Sequence, residues 1–281
     1  QPDTGTASVY VPIFLIMIFA AGLPLKYIIL VTATSLLTIV FTILPVVQEE
    51  IFQNSIAFFR IFTDSGLRLI VIIALSAVTL ITFVGLLLYK HKYYYWVTWT
   101  FGIITISFIA SIFMAMVLKD YQIKRLIVFV NPNIDPLGSG WNIIQSKIAI
   151  GSGGLFGQGF LQGTQSHYRF LPQQSTDFIF SILSEEVGFV GVIFVFALYA
   201  VIFFRIIHIM RQVKNTFGYY ITTGILGMFL FQFMVNVGVA MGMMPITGIP
   251  LFFLSYGGSS LWTAMIAIGL LMNIYYRRLN Y

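Results

Sequence analysis

Apolar residues in this chain come in long, nearly uninterrupted runs, separated by short polar clusters. Seven runs of about 20 residues, the length an α-helix needs to cross a hydrocarbon layer of roughly 30 Å, can be placed along it. They lie near Ala7–Leu25, Tyr27–Val47, Leu67–Tyr89, Val97–Leu118, Phe178–Phe204, Tyr219–Ala240 and Ser260–Ile274. None alternates with the two-residue period of a barrel strand, and lipid offers no water to unpaired backbone groups, so the runs read as helices. The pattern predicts an all-α polytopic membrane protein with about seven transmembrane helices, in one integral membrane domain over residues 1–281.

One stretch breaks the pattern. Lys119–Gly188 carries five of the nine acidic residues and five of the fifteen Lys and Arg. Its first part, residues 119–177, reads as a long loop outside the membrane, and the polar residues gathered there make it the place for chemistry. Asn131–Gly140 (NPNIDPLGSG) is a turn cluster. Trp141–Ile150 has Trp141, Ile144 and Ile148 at helical spacing, with Gln145 and Lys147 away from them, which predicts a helix lying in the interface. Gly151–Gly163 holds six glycines. It suits close packing or close approach to a ligand, and it lacks the Lys-Ser/Thr ending of a P-loop.

After Gln173–Gln174, Ser175 or Thr176 is placed to cap the next helix, with Asp177 in its first turn complementing the helix dipole. Glu185 and Glu186 follow two turns deeper, roughly 12 Å along the axis. Carboxylates in a membrane are costly and usually face a cavity or a partner. On a continuous helix Glu185 lies about 80° from Asp177, which makes it the better neighbour of the two glutamates. Met243–Ser260 (MMPITGIPLFFLSYGGSS) has too many Pro and Gly for a regular helix, and its apolar Pro250–Leu254 portion predicts a segment dipping back into the protein.

Composition sharpens this picture. The chain is 59% hydrophobic and only 9% charged, against roughly 25% charge in an ordinary soluble domain. Charge sets an orientation. Lys26, Lys90 and Lys92, Arg205, Arg211 and Lys214, and Arg277 and Arg278 all fall on one side if the spans alternate, and by the positive-inside rule that side is cytoplasmic. The C-terminus is then cytoplasmic and residues 119–177 are extracytoplasmic, with Tyr93–Trp96 and Trp99 as an inner aromatic belt. The net charge of +6 reflects this bias and anionic lipid rather than nucleic acid. There is no cysteine, and His91, His167 and His208 are scattered, so neither thiolate chemistry nor a zinc site is supported. The chain opens at Gln1, straight into a span, which reads as the C-terminal part of a longer protein.

Several of these segments resemble the SEDS family of bacterial cell-wall proteins, the RodA, FtsW and SpoVE group. The resemblance rests on Gln1–Ala7, Asp135–Gly163 (DPLGSGWNIIQSKIAIGSGGLFGQGFLQG), Thr164–Ser166, Phe170–Pro172, Thr176–Gly188 (TDFIFSILSEEVG) and Pro245–Ser259 (PITGIPLFFLSYGGS). It covers about three quarters of the chain, and the residues around Gly163–Gln165 are nearer the RodA branch. Members of the family have about ten spans, so further spans and an earlier external loop are expected before Gln1. Tyr27–Tyr95 reads as an inserted pair of transmembrane helices.

The resemblance implies a peptidoglycan glycosyltransferase of the bacterial cytoplasmic membrane. It would polymerise lipid II at the outer face for rod-shape elongation, with a class B penicillin-binding protein as partner. Asp177 matches the essential aspartate of the family. Lys124, Arg125, Lys147, Gln165, Arg169, Glu185 and Ser255 are the candidates for contacts to diphosphate and sugar. No motif calls for a metal, although a divalent cation is compatible with a departing diphosphate. A lipid II flippase, or a scaffold without activity, is the alternative, and the fragment alone is expected to be inactive.

Overall fold

The computed structural model describes residues 4–51, 60–168 and 170–277. Arg169, Arg278, Gln1–Asp3 and much of the Gln48–Gly66 connection therefore lie outside the described residues. All regular structure among the described residues is helical. Among the described residues, six helices are long and apolar enough to cross a membrane, and a shorter apolar helix stands near the start of the chain.

That shorter element is a correction to the run at Ala7–Leu25. It forms α1 (Thr4–Ser8) and α2 (Tyr10–Ala20), joined through Val9 at helical angles (φ −64°, ψ −32°), and it ends at Ala20 rather than Leu25. The ladder of hydrogen bonds is interrupted between the two segments by Pro12. Proline cannot donate a backbone hydrogen bond, and its ring crowds the carbonyl four residues back, here that of Ser8. At the other end Gly22 adopts φ +95°, the Gly22 N–H reaches the Phe19 carbonyl at 3.0 Å and the Leu23 N–H reaches that of Ile18 at 3.2 Å. This glycine-capped exit followed by Pro24 stops the helix.

The chain divides into two compact units, residues 24–130 and residues 1–23 with 131–281. The 24–130 unit is built from α3 (Leu25–Ile51), α4 (Arg60–Thr63), α5 (Ser65–Tyr89), α6 (Lys92–Val117) and α7 (Asp120–Val130). Asp64 caps α5 by accepting from the Gly66 N–H at 2.9 Å. In lipid, where apolar side chains gain nothing by leaving the solvent, helices associate through small residues and hydroxyls. Here Thr79 and Thr105 share a hydrogen bond of 3.1 Å between α5 and α6, and Ser107 donates to the Thr34 carbonyl across to α3. Leu69, Ile70, Leu80 and Ile81 stand exposed, a surface suited to lipid.

The other unit adds α8 (Ser139–Ser152), α9 (Thr164–His167), α10 (Ile179–Gln212), α11 (Thr216–Ala240) and α12 (Gly258–Arg277) to α1 and α2. α8 differs from the expected helix in which side it buries. Ile143, Gln145, Ser146 and Ala149 are buried, while Ile148 of the expected apolar face is exposed. Small residues decide this. Ser146 Oγ lies 2.5 Å from Ser181 Oγ and 2.6 Å from the Ala240 carbonyl, so α8, α10 and α11 meet at one closely packed point.

α10 runs for 34 residues but is interrupted at Gly188 (φ +66°, ψ −168°). The interruption opens the two helical pairs that would join Phe189 and Val190 to Glu185 and Glu186. The glycine loop takes over all four groups. Its Gln158 and Gly159 N–H groups donate to the Glu185 and Glu186 carbonyls at 2.9 and 3.0 Å, and its Gly154 and Leu155 carbonyls accept from Phe189 and Val190 at 3.0 and 3.1 Å. A broken helix at membrane depth is tolerable because the freed groups are paired again. Side chains would prevent it: a Cβ on Gly157 would fall 2.1 Å from the Glu186 carbonyl oxygen, and one on Gly188 would fall 2.2 Å from the Gly157 nitrogen. Of the two uses expected for the glycines, close packing is the one the structure displays.

Candidate active site

Asp177 sits in a run of turns over residues 171–178, just ahead of α10, and is half-buried. The cap expected at Ser175 or Thr176 is not made, because α10 starts at Ile179 with Phe178 at its N-cap position. Local geometry explains the shift. Gln173 takes φ +52°, and its carbonyl accepts the N–H groups of both Thr176 and Asp177 at 3.2 Å, so the chain turns once before the helix begins. The angular relation expected between Asp177 and Glu185 assumed helix through both, and so does not hold.

Two neighbours hold the Asp177 backbone. One is Asn236 of α11, buried at 2% exposure, whose Nδ2 donates to the Asp177 carbonyl at 3.0 Å and to the Ile249 carbonyl at 2.9 Å. The second is the segment between α11 and α12, which dips into the protein as its apolar content predicted: Ile249, Leu251 and Phe252 are buried. Ser255 Oγ donates to the Thr176 carbonyl at 2.6 Å and accepts from the Leu251 N–H at 2.7 Å, while the Tyr256 N–H reaches the Ser175 carbonyl at 2.7 Å. Gly248 lies alongside the carboxylate, since a Cβ there would be 3.6 Å from Asp177 Oδ2. Beneath this arrangement Phe178, Ile249, Val235, Val239, Ala149 and Leu171 form a dry floor. The carboxylate is thus presented from a backbone fixed at residues 175–177.

Asn236 was missed from sequence, although the signal was there: an amide inside an apolar helix needs partners. Asn236→Asp keeps the size but turns the donor into an acceptor facing two carbonyl oxygens. Each stranded acceptor costs about 1–3 kcal/mol, so a clear drop in the melting temperature of the detergent-purified protein is expected. An unchanged melting curve would remove Asn236 as the clamp.

The other candidates stand on several different elements. Glu185 is fully buried, and its carboxylate accepts from the Gln165 N–H at 2.8 Å, the Ser166 N–H at 3.0 Å and Thr164 Oγ1 at 3.2 Å. It therefore anchors the start of α9. Glu186 accepts from the Leu161 N–H at 3.2 Å. Gln165 is buried, with its Oε1 lacking a protein partner among the described residues. Lys147 is exposed on α8 and its side chain lies across Gly242. Lys124 and Arg125 belong to α7 in the 24–130 unit, where the Arg125 guanidinium is 5.8 Å from the Tyr121 ring centre. Arg169 lies outside the described residues. Among the described residues no three His, Asp or Glu side chains form a cluster fit for a metal.

A family model described as "Cell cycle protein", covering FtsW, RodA and SpoVE, matches residues 68–280. The chain belongs to this family. Among similar family members is the peptidoglycan glycosyltransferase RodA of Treponema pallidum (strain Nichols), 58% identical over 279 residues, which cover 99% of this chain and 64% of that protein. The peptidoglycan glycosyltransferase MrdB of Escherichia coli (strain K12) is 41% identical over 177 residues, covering 63% of this chain and 48% of that protein. A solved chain from a peptidoglycan synthase complex has 34% identity and a TM-score of 0.46, over 64% of this chain and 51% of that one. The chain thus spans about two thirds or less of the length of these family members. The Treponema alignment takes in residues 27–95, so that pair of helices has a counterpart there.

Proposed function

We propose that this chain is the catalytic portion of a peptidoglycan glycosyltransferase that polymerises lipid II for cell-wall elongation. The observation that carries the reading is Asp177, a half-buried carboxylate whose own backbone is clamped by Asn236 and whose neighbours are stapled by Ser255. The names of the two curated family members support it. Asp177 acts as general base: it takes the proton from the acceptor sugar hydroxyl as that oxygen bonds to the donor's anomeric carbon, and the bond from that carbon to the polyprenyl diphosphate breaks. The diphosphate leaves as an anion, and Lys147 and Arg169 are the cations proposed to meet it. Gln165 is proposed as a sugar contact, with Glu185 and Ser255 holding the surrounding backbone. A divalent cation with the diphosphate is compatible with this chemistry and not required by it.

The bias of Lys and Arg supports a cytoplasmic C-terminus and extracytoplasmic residues 119–177 in a bacterial cytoplasmic membrane. Residues 27–95 are proposed as an inserted helix pair within one membrane domain, and a class B penicillin-binding protein as the partner. The test is direct. Full-length protein purified with such a partner and given labelled lipid II is expected to yield glycan polymer. Lipid II crossing liposomes without polymer would overturn the reading in favour of a flippase, and binding of the partner with neither activity would leave a scaffold.

A further inference from the structure

At the ends of α11 and α12 near residue 214, remote in sequence from Asp177, lies a cavity of about 260 Å³. It is lined by residues 213–215 of the connection between α10 and α11, the first two turns of α11 and the last two turns of α12. Two cations border it, Lys214 and Arg277, both exposed, and no acidic residue lines it. Two amides, Asn215 and Asn273, add polar groups. The remaining wall is apolar, chiefly Ile221, Leu270 and Ile274.

These residues are graded along the helix axes. Ile221 lies six residues into α11 from Asn215, and Leu270 lies seven residues back along α12 from Arg277. At 1.5 Å per residue both steps cover about 10 Å. The cavity is thus cationic at the helix ends and apolar about 10 Å deeper, on both walls at once. Gly218 keeps the walls close: it is buried, and a Cβ there would meet the Val213 side chain at 3.0 Å and that of Ile274 at 3.5 Å.

We propose that this cavity binds the headgroup of an anionic glycerophospholipid from the cytoplasmic leaflet. The two cations meet the phosphate, the amides meet glycerol or ester oxygens, and the apolar depth receives the first part of an acyl chain. A free phosphate or nucleotide would use the cations but leave the apolar depth wet, so the gradient favours an amphiphile. The volume agrees. Pockets that take up a whole small ligand run to about 300–1,000 Å³, whereas this one holds a headgroup and the start of one chain, the rest of the lipid staying in the bilayer. The side agrees too, because the Lys and Arg pattern puts these helix ends in the cytoplasm, where the leaflet is anionic and basic pockets between helices recognise its headgroups. The inference does not depend on the proposed reaction.

The test uses the full-length protein in detergent, titrated with phosphatidylglycerol and read by native mass spectrometry. Phosphatidylcholine and glycerol 3-phosphate serve as comparison probes. Phosphatidylglycerol is expected to bind wild type in preference to both. Lys214→Gln with Arg277→Gln is expected to weaken it about tenfold or more, since each cation contributes separately to holding an anionic headgroup. Lys90→Gln with Lys92→Gln removes the same charge from another connection assigned to the same side and is expected to leave this binding unchanged. Equal weakening by both pairs would overturn the proposal in favour of diffuse surface attraction. Binding of glycerol 3-phosphate as tight as that of the lipid, or no preference over phosphatidylcholine, would overturn it as well.

Discussion

Asp177→Asn is expected to abolish glycan polymerisation while leaving the protein folded. The substitution is isosteric, and the hydrogen bonds that hold this stretch of backbone are made by its own N–H and carbonyl groups. Gln173 accepts the Asp177 N–H and Asn236 donates to its carbonyl, and both bonds survive the change. What is lost is the group that accepts a proton. A positioned general base contributes about 10²–10⁴-fold, so the rate should fall at least a hundredfold. The measurement is polymer formed from labelled lipid II by full-length protein with its partner, set beside the melting curve of the same sample. A rate within threefold of wild type would refute the assignment of the base. A lost melting transition would instead make Asp177 a structural residue, which the survival of its backbone bonds argues against.

Glu185→Ala is expected to act in the opposite way, through stability. Its carboxylate is fully buried and accepts three hydrogen bonds from Thr164, Gln165 and Ser166. Hydrogen bonds to a charged group are worth about 1.5–3 kcal/mol each, and the alanine variant leaves all three donors without an acceptor. The loss should therefore reach about 3 kcal/mol or more, and the segment from Gln158 to Ser166 should become protease-sensitive. Glu185→Gln retains one acceptor oxygen and should fall between the two. If Glu185→Ala melts with wild type yet fails to polymerise lipid II, Glu185 contacts substrate after all and its structural role is secondary.

The two glutamates illustrate how far a linear pattern can be read. That a carboxylate in an apolar helix must have partners follows from its cost in lipid, and the sequence marks both Glu185 and Glu186 on that ground. Which partners they find depends on the break at Gly188. Without the break the helical ladder would be continuous, and the loop over residues 154–159 would have no free carbonyls or N–H groups to pair with. The six glycines marked a place of close approach. Nothing in their spacing identified α10 as the surface approached.

The helical class, and the six helices among the described residues that are long and apolar enough to cross a membrane, were decided by the sequence itself. Apolar runs of this length leave the backbone no other way to satisfy its polar groups in lipid. The polar stretch that contains Asp177 stood out for the same reason. Tertiary structure decided the details in which neighbours compete with local preference. It gave α8 a buried face of small residues where the apolar periodicity favoured another, whereas the shortened first span and the late start of α10 are local effects of Gly22 and of the Gln173 turn. Tertiary structure also turned Ser255 and Asn236 into the clamps around Asp177. Hydrogen bonds such as Ser255 to Thr176 join residues 79 positions apart, and Asn236 reaches across 59. No local pattern encodes such a pairing, because it exists only once the separate helices have packed.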